Sequence, residues 1–173
     1  FPFRNPHQRS KEPMDKEQIL VVDDDEGLLH LLKMRLSAEG FAVTSCTTGH
    51  EALVEAKKKM FDLAITDLRL RGEDGLDVTE ELLRIHPQLP VIILTAHGSI
   101  PNAVEAMQRG AFGYLTKPFD DKELKATIEK ALSQQRMSKE IQRLKSLVKE
   151  LYGLENVVAR SPAVFQPVYS TEI

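Results

Sequence analysis

A chain of 173 residues, 42% hydrophobic and 28% charged, has the makeup of a globular protein with core enough for one domain and residues to spare. Its net charge of -3, with basic residues scattered outside Lys57-Lys58-Lys59, gives no electrostatic footprint for nucleic acid. The single cysteine, Cys46, excludes an internal disulfide or a cysteine-built zinc site. No apolar run approaches the ~20 residues needed to cross a bilayer, so no membrane partner is expected.

Residues 1–13 are polar, rich in Pro and Arg, and lack the apolar core of a signal peptide. Met14 reads as a natural start, which makes this stretch a leader or an expression remnant, and a cytoplasmic protein is expected. Ile19-Leu20-Val21-Val22 is β-branched, too short for a helix and followed by three aspartates, the pattern of a buried strand. Residues 26–38 carry Leu28, Leu29, Leu32 and Leu36 at helical spacing, and Gly40 stops them. A second strand over 41–46 places Cys46 as a small core residue rather than a reactive thiol. The helix after it, over 49–59, ends in Lys57-Lys58-Lys59, cations that suit a solvated helix C-terminus.

A third strand covers 61–66 and stops at Asp67. The loop after it, with Gly72 and Gly75, leads to a helix carrying Val78, Leu82, Leu83 and Ile85, which His86-Pro87 ends. Val91-Ile92-Ile93-Leu94 is the most apolar strand, and an unbroken apolar run predicts the central position in the sheet. A helix over 99–109 is closed by Gly110, a fifth strand spans 112–116, and a last helix begins near Asp120. Five β–α units in strict alternation predict an α/β fold, a doubly wound five-stranded parallel sheet with helices on both faces.

In such folds the functional site lies beyond the carboxyl ends of the strands. Asp23 and Asp24 follow the first strand, Asp67 the third, Thr95 the fourth and Lys117 the fifth. Any one of them could be an ordinary turn residue or helix cap. Five polar residues from four strand ends on one edge point instead to a site. Three neighbouring carboxylates repel one another. Mg²⁺ relieves that repulsion, binding a few carboxylate oxygens while keeping several waters and joining phosphates. One acid can then act as a nucleophile, as in aspartyl-phosphate chemistry, with the lysine and the metal neutralising developing charge. Thr95 offers a hydroxyl to a phosphoryl oxygen.

The segments V-V-D-D-D (21–25), I-T-D-L (65–68), I-L-T-A (93–96) and Y-L-T-K-P-F (114–119) together resemble the receiver domains of bacterial response regulators, CheY-like, over residues 18–133. The resemblance implies that Asp67 accepts a phosphoryl group from a sensor histidine kinase. It implies Mg²⁺ held directly by Asp24 and Asp67, through water by Asp23, and by the backbone carbonyl of Arg69. Lys117 would contact the phosphoryl oxygens, with the Lys117–Pro118 bond cis, and Thr95 and Tyr114 would form the switch. The chain departs from the family after the acceptor, with Leu70 and Glu73 where Met is usual and Arg71 where Pro is usual. Arg69 and His97 fall at positions flanking the phosphoryl group that tune its lifetime in the family. For His97, an exposed loop histidine is an equal reading.

The last helix continues past its packing face of Leu124, Ile128 and Leu132. Met137, Ile141, Leu144, Val148 and Leu151 then alternate four- and three-residue steps, the seam of a coiled coil, with no Gly or Pro before Gly153. The expected division is a leader or expression remnant (1–13), a receiver domain (14–134), a helical linker expected to pair as a coiled coil in a homodimer (135–152), and the start of a truncated output domain (153–173). The last segment carries Ser161-Pro162-Ala163 and resembles the run-in to the AAA+ ATPase of sigma-54-dependent, NtrC-type transcription activators, although the phosphate-binding loop G-x-x-x-x-G-K-[ST] is absent from the chain. The expected function is two-component signalling that regulates transcription through parts absent here, which would contact DNA and sigma-54 RNA polymerase. The expected protein is a phospho-acceptor rather than an enzyme, promoting its own phosphotransfer and dephosphorylation. The rival readings are a stand-alone receiver that docks on a partner and a haloacid-dehalogenase-like phosphatase. The latter carries its nucleophile on a D-x-D strand, whereas the aspartates after the first strand here are contiguous.

Overall fold

The computed structural model describes residues 15–158, with side chains as far as residue 153. The expected leader over 1–13 lies outside the described residues, as does most of the expected output-domain segment. Contacts divide the chain into two units, 1–135 and 136–173.

In the first unit, five parallel strands, β1 (Gln18–Val22), β2 (Ala42–Cys46), β3 (Leu63–Thr66), β6 (Val91–Thr95) and β7 (Gly113–Thr116), lie in the order β2-β1-β3-β6-β7. Helices α1 (Glu26–Ala38), α2 (Gly49–Lys58), α3 (Gly75–Ile85) and α4 (Ile100–Gln108) connect them, and α5 (Asp121–Val158) follows the last strand. The alternation of side chains along each strand splits the core in two. Ile19, Val21, Leu63, Ile65, Ile92 and Leu94 pack with Leu29, Leu32 and Leu36 of α1 and with Leu124, Ile128 and Leu132 of α5. Leu20, Val22, Ala64, Val91 and Ile93 pack with α2, α3 and α4 through Ala52, Ala56, Val78, Leu82 and Ala106. The doubly wound sheet is therefore as expected.

Three sequence expectations are corrected. The centre of the sheet is β3, with β6 beside it. An unbroken apolar run reports burial on both faces, which every interior strand shares, so it cannot single out the middle one. Phe61 and Asp62 stand outside β3. Phe61 is buried, while Asp62 clasps the start of β1, its N–H donating to Gln18 O at 2.8 Å and its Oδ2 accepting from Gln18 N at 2.7 Å. The loop after Asp67 holds a two-residue antiparallel ribbon, β4 (Arg69–Leu70) against β5 (Glu73–Asp74), with Arg69 opposite Asp74 and Leu70 opposite Glu73.

The Lys57-Lys58-Lys59 run ends α2 as expected: Lys58 pairs with Glu55 at 2.8 Å, and Lys59 Nζ lies 5.0 Å from the Phe61 ring centre. Cys46 is buried, and burial pushes its thiol up to about 11. In the second unit α5 runs on through Gly153 to Val158. Among its described residues, Met137, Ile141, Leu144, Val148 and Leu151 are all large apolar side chains exposed to solvent. No helix among the described residues is long and apolar enough to cross a membrane.

Candidate functional site

The parallel ladders carry on one residue past the strands and so seat the site. Asp23 N donates to Cys46 O at 3.1 Å, Asp67 N to Val22 O at 3.0 Å, and Lys117 N to Thr95 O at 2.8 Å. Because Val22 is in register with Thr66, Asp23 and Asp67 come side by side at the point where the strand order reverses. Carboxylate oxygens of Asp23, Asp24 and Asp67 all lie within 4.8 Å of one another. Asp23 and Asp67 are buried, and Asp24 is half-buried.

Lys117 reaches this cluster across the sheet. Its Nζ donates to Asp23 Oδ2 at 2.6 Å and to Asp67 Oδ2 at 2.8 Å. Burial works against its ammonium, but the two carboxylate bonds outweigh burial and hold its pKa above that of ordinary lysine. For Asp23 the balance goes the other way: burial pushes the carboxyl above the usual carboxylate range despite the bonds from Lys117 and from the Asp25 N–H. A further cation stands farther off: the exposed guanidinium of Arg71 lies 3.9 Å from Asp24 Oδ2. Three acids against one lysine and a distant arginine leave an uncompensated negative charge in a largely buried pocket. This all-oxygen, carboxylate-rich donor set suits a hard divalent cation such as Mg²⁺.

The third aspartate has a different task. Asp25 caps α1, its Oδ1 accepting from Leu28 N at 3.1 Å, so the run of three divides into two site residues and one helix cap. Thr95 ends β6 wholly buried, its Oγ1 accepting from His97 N at 3.1 Å. Tyr114 lies on β7 opposite Ile93, on the same sheet face as Thr95, with its hydroxyl buried and without a hydrogen-bond partner among the described residues. The Lys117–Pro118 bond is cis. His97 is exposed.

The loop after Asp67 is pinned at close quarters. Arg69 N donates to Asp67 Oδ1 at 3.0 Å, and Gly75 N donates to Leu68 O at 2.8 Å. A Cβ on Gly75 would come within 1.9 Å of the Asp67 carbonyl oxygen, so only glycine lets α3 start this close to Asp67. Two anchoring residues escaped sequence reasoning. Glu73 binds the first turn of α2, and Arg109 at the end of α4 bonds Asp77 and Glu80 of α3. The departures from the family pattern at 70, 71 and 73 were the only sequence signal for the first, and none existed for the second.

A doubly wound parallel sheet with an acidic pocket and a lysine at its switch point defines a class of α/β proteins that handle charged groups at the strand ends. The family model for the response regulator receiver domain matches residues 19–129, more than half of the chain, and the chain belongs to that family. It is 48% identical over 116 residues to the transcriptional regulatory protein GlrR of Escherichia coli (strain K12), an alignment covering 67% of this chain and 26% of GlrR. The chain thus spans about a quarter of the length of the curated relatives it matches. Among solved structures, a CheY-like receiver domain from Methanospirillum hungatei JF-1 superposes with a TM-score of 0.69 at 30% identity, covering 72% of this chain and 99% of that one. The beryllofluoride-activated receiver domain dimer of NtrC4 superposes with a TM-score of 0.65 at 31% identity, covering 68% and 98%. The chain is a regulatory receiver domain of the two-component kind.

Proposed function

We propose that Asp67 is the phosphoryl acceptor, taking the group from a phosphohistidine of a sensor histidine kinase. The observation that carries this reading is Lys117 bridging Asp23 and Asp67 at 2.6 and 2.8 Å, with Asp24 completing the pocket. A carboxylate oxygen of Asp67 forms the new O–P bond while the N–P bond breaks, and the histidine nitrogen keeps the electron pair. Asp24 and Asp67 would hold Mg²⁺ directly, Asp23 through water, and the Arg69 carbonyl would complete the set. Bound there, Mg²⁺ supplies charge neutralisation on the phosphoryl oxygens. Lys117, released from Asp67 by the new bond, turns to those oxygens, and the Thr95 hydroxyl donates to one of them. The space Thr95 leaves admits Tyr114, whose buried, unpartnered hydroxyl already lies on that face. Hydrolysis of the acyl phosphate by water at the same site returns the carboxylate and resets the switch.

The exposed 4-3 seam of α5 supports pairing of two chains through that helix; the NtrC4 receiver domain is itself a dimer. The name of GlrR supports an output in transcription; ATPase and DNA-binding parts that work with sigma-54 RNA polymerase, and a cytoplasmic setting, rest on the family resemblance alone. Acetyl phosphate with Mg²⁺ tests the central claim. The chain should take up an acid-labile label, and Asp67→Asn, nearly isosteric, should take up none while staying folded. Full labelling of that variant moves the acceptor elsewhere.

A further inference from the structure

We propose that Glu73 is a positioning residue for the acceptor loop, fastening the β4–β5 ribbon to the start of α2 and so holding the Arg69 carbonyl where Mg²⁺ needs it; this rests on the reading of Asp67 and Arg69 above. The first turn of a helix leaves its N–H groups without partners inside the helix. In α2 the N-cap Thr48 satisfies only one of them, its Oγ1 accepting from Glu51 N at 3.1 Å. Glu73, 24 residues away in sequence, takes the next two with its two oxygens: Oε2 accepts from Gly49 N at 2.5 Å and Oε1 from His50 N at 3.2 Å. A carboxylate at a helix N-terminus also meets the positive end of the helix dipole, and hydrogen bonds to an ionised acceptor are the stronger kind.

The approach is built on both sides. A Cβ on Gly49 would come within 2.9 Å of Glu73 Oε2 and 2.3 Å of Val78 Cγ2, so the carboxylate can sit there only because residue 49 is glycine. The next residue, Asp74, caps α3 by accepting from Leu76 N at 2.8 Å. Two consecutive acids thus anchor β5 to the N-termini of two helices. Strand β5 in turn fixes β4, since Leu70 pairs with Glu73 and Arg69 with Asp74. The tie therefore runs from Glu73 through the ribbon to Arg69, whose N–H holds Asp67 Oδ1 and whose carbonyl is the proposed ligand. Met, the usual family residue at position 73, has no carboxylate and could not make this link. Outer partners that orient metal ligands typically alter affinity by 10–100-fold when removed.

Glu73→Ala and Glu73→Gln test this, with Mg²⁺ affinity read by calorimetry and metal-free melting temperature read alongside. Removing the carboxylate should raise the Mg²⁺ dissociation constant about tenfold, the low end of that range, because Glu73 acts through the ribbon. Gln keeps one acceptor oxygen but turns an NH₂ toward a donor, and should fall between. Acetyl phosphate labelling at saturating Mg²⁺ should return close to the parent rate, since the acceptor and Lys117 are untouched. An unchanged Mg²⁺ affinity in Glu73→Ala, whatever happens to its melting temperature, makes Glu73 a helix cap only and overturns the proposal. If the alanine variant does not fold, the glutamine variant is judged by the same criterion. A parent chain that takes no Mg²⁺ overturns the acceptor reading itself, and this inference with it.

Discussion

Removing the Lys117 ammonium, by Lys117→Ala, isolates the electrostatics of the acidic pocket. Its Nζ bridges carboxylates whose side chains are only 4% and 8% exposed, and is itself 18% exposed. Deleting one partner of a fully buried ion pair costs about 3–5 kcal/mol, because the remaining charge is left uncompensated. Here two carboxylates are orphaned, but water reaches the pocket and Asp23 can take up a proton. We therefore expect the low end, about 3 kcal/mol in metal-free buffer, or roughly 10 °C in melting temperature for a unit of this size. Asp23 has a folded pKa raised chiefly by burial, so its ionised form is the costly one. That cost is absent below the unfolded pKa and complete above the folded one. Without Lys117 the raise grows, so the deficit of the variant should be larger at pH 8 than near pH 5. A dication supplies the missing charge, and ligand at a hundred times its dissociation constant stabilises by about 2.7 kcal/mol. Chemical denaturation of parent and variant, in EDTA and in Mg²⁺, measures all of this. A metal-free deficit below about 1 kcal/mol, or a Mg²⁺ increment no larger than that of the parent, refutes the reasoning.

Asp24→Asn should abolish the Mg²⁺-dependent rise in melting temperature, while leaving metal-free stability equal or higher through relief of repulsion; an intact Mg²⁺ response would show that Asp24 is not a ligand. Replacing Ile141 and Val148 by Asp should give monomers that still accept phosphate, and a parent chain that sediments as a monomer at tens of micromolar removes the basis for pairing through α5. With its pKa pushed up to about 11, Cys46 should be modified by a thiol reagent at pH 8 at least roughly a hundredfold more slowly in the folded chain than in urea. Equal rates would place that thiol outside the core.

Some of this architecture could be read from residues and some could not, for physical reasons. Strand termini were legible because each apolar run stops at a chemically distinct residue, and the parallel ladder then carries Asp23, Asp67 and Lys117 to one edge. The middle of the sheet was not, since burial leaves the same signature on β3 and β6. The ribbon at Arg69–Leu70 and Glu73–Asp74 left no periodicity to find, because two residues on each side are too few to alternate. Asp25 illustrates the limit of motif reading. It stands beside two site residues with the same side chain, and only the backbone angle at the start of α1 makes it a cap. Glu73 and Arg109 act between segments 24 and 29–32 residues apart, a distance at which local pattern carries no information.

The two bonds of Lys117 also bear on when, in the life of the chain, the site can exist. They join residues 50 and 94 positions apart, across four of the five strands of the main sheet in sequence. A ribosome-bound chain that has emerged only as far as β6 carries all three aspartates but no ammonium to bridge them. On the proposed acceptor reading, competence to take phosphate would therefore arrive with the last strand, and a chain interrupted or misfolded before that point would stay silent.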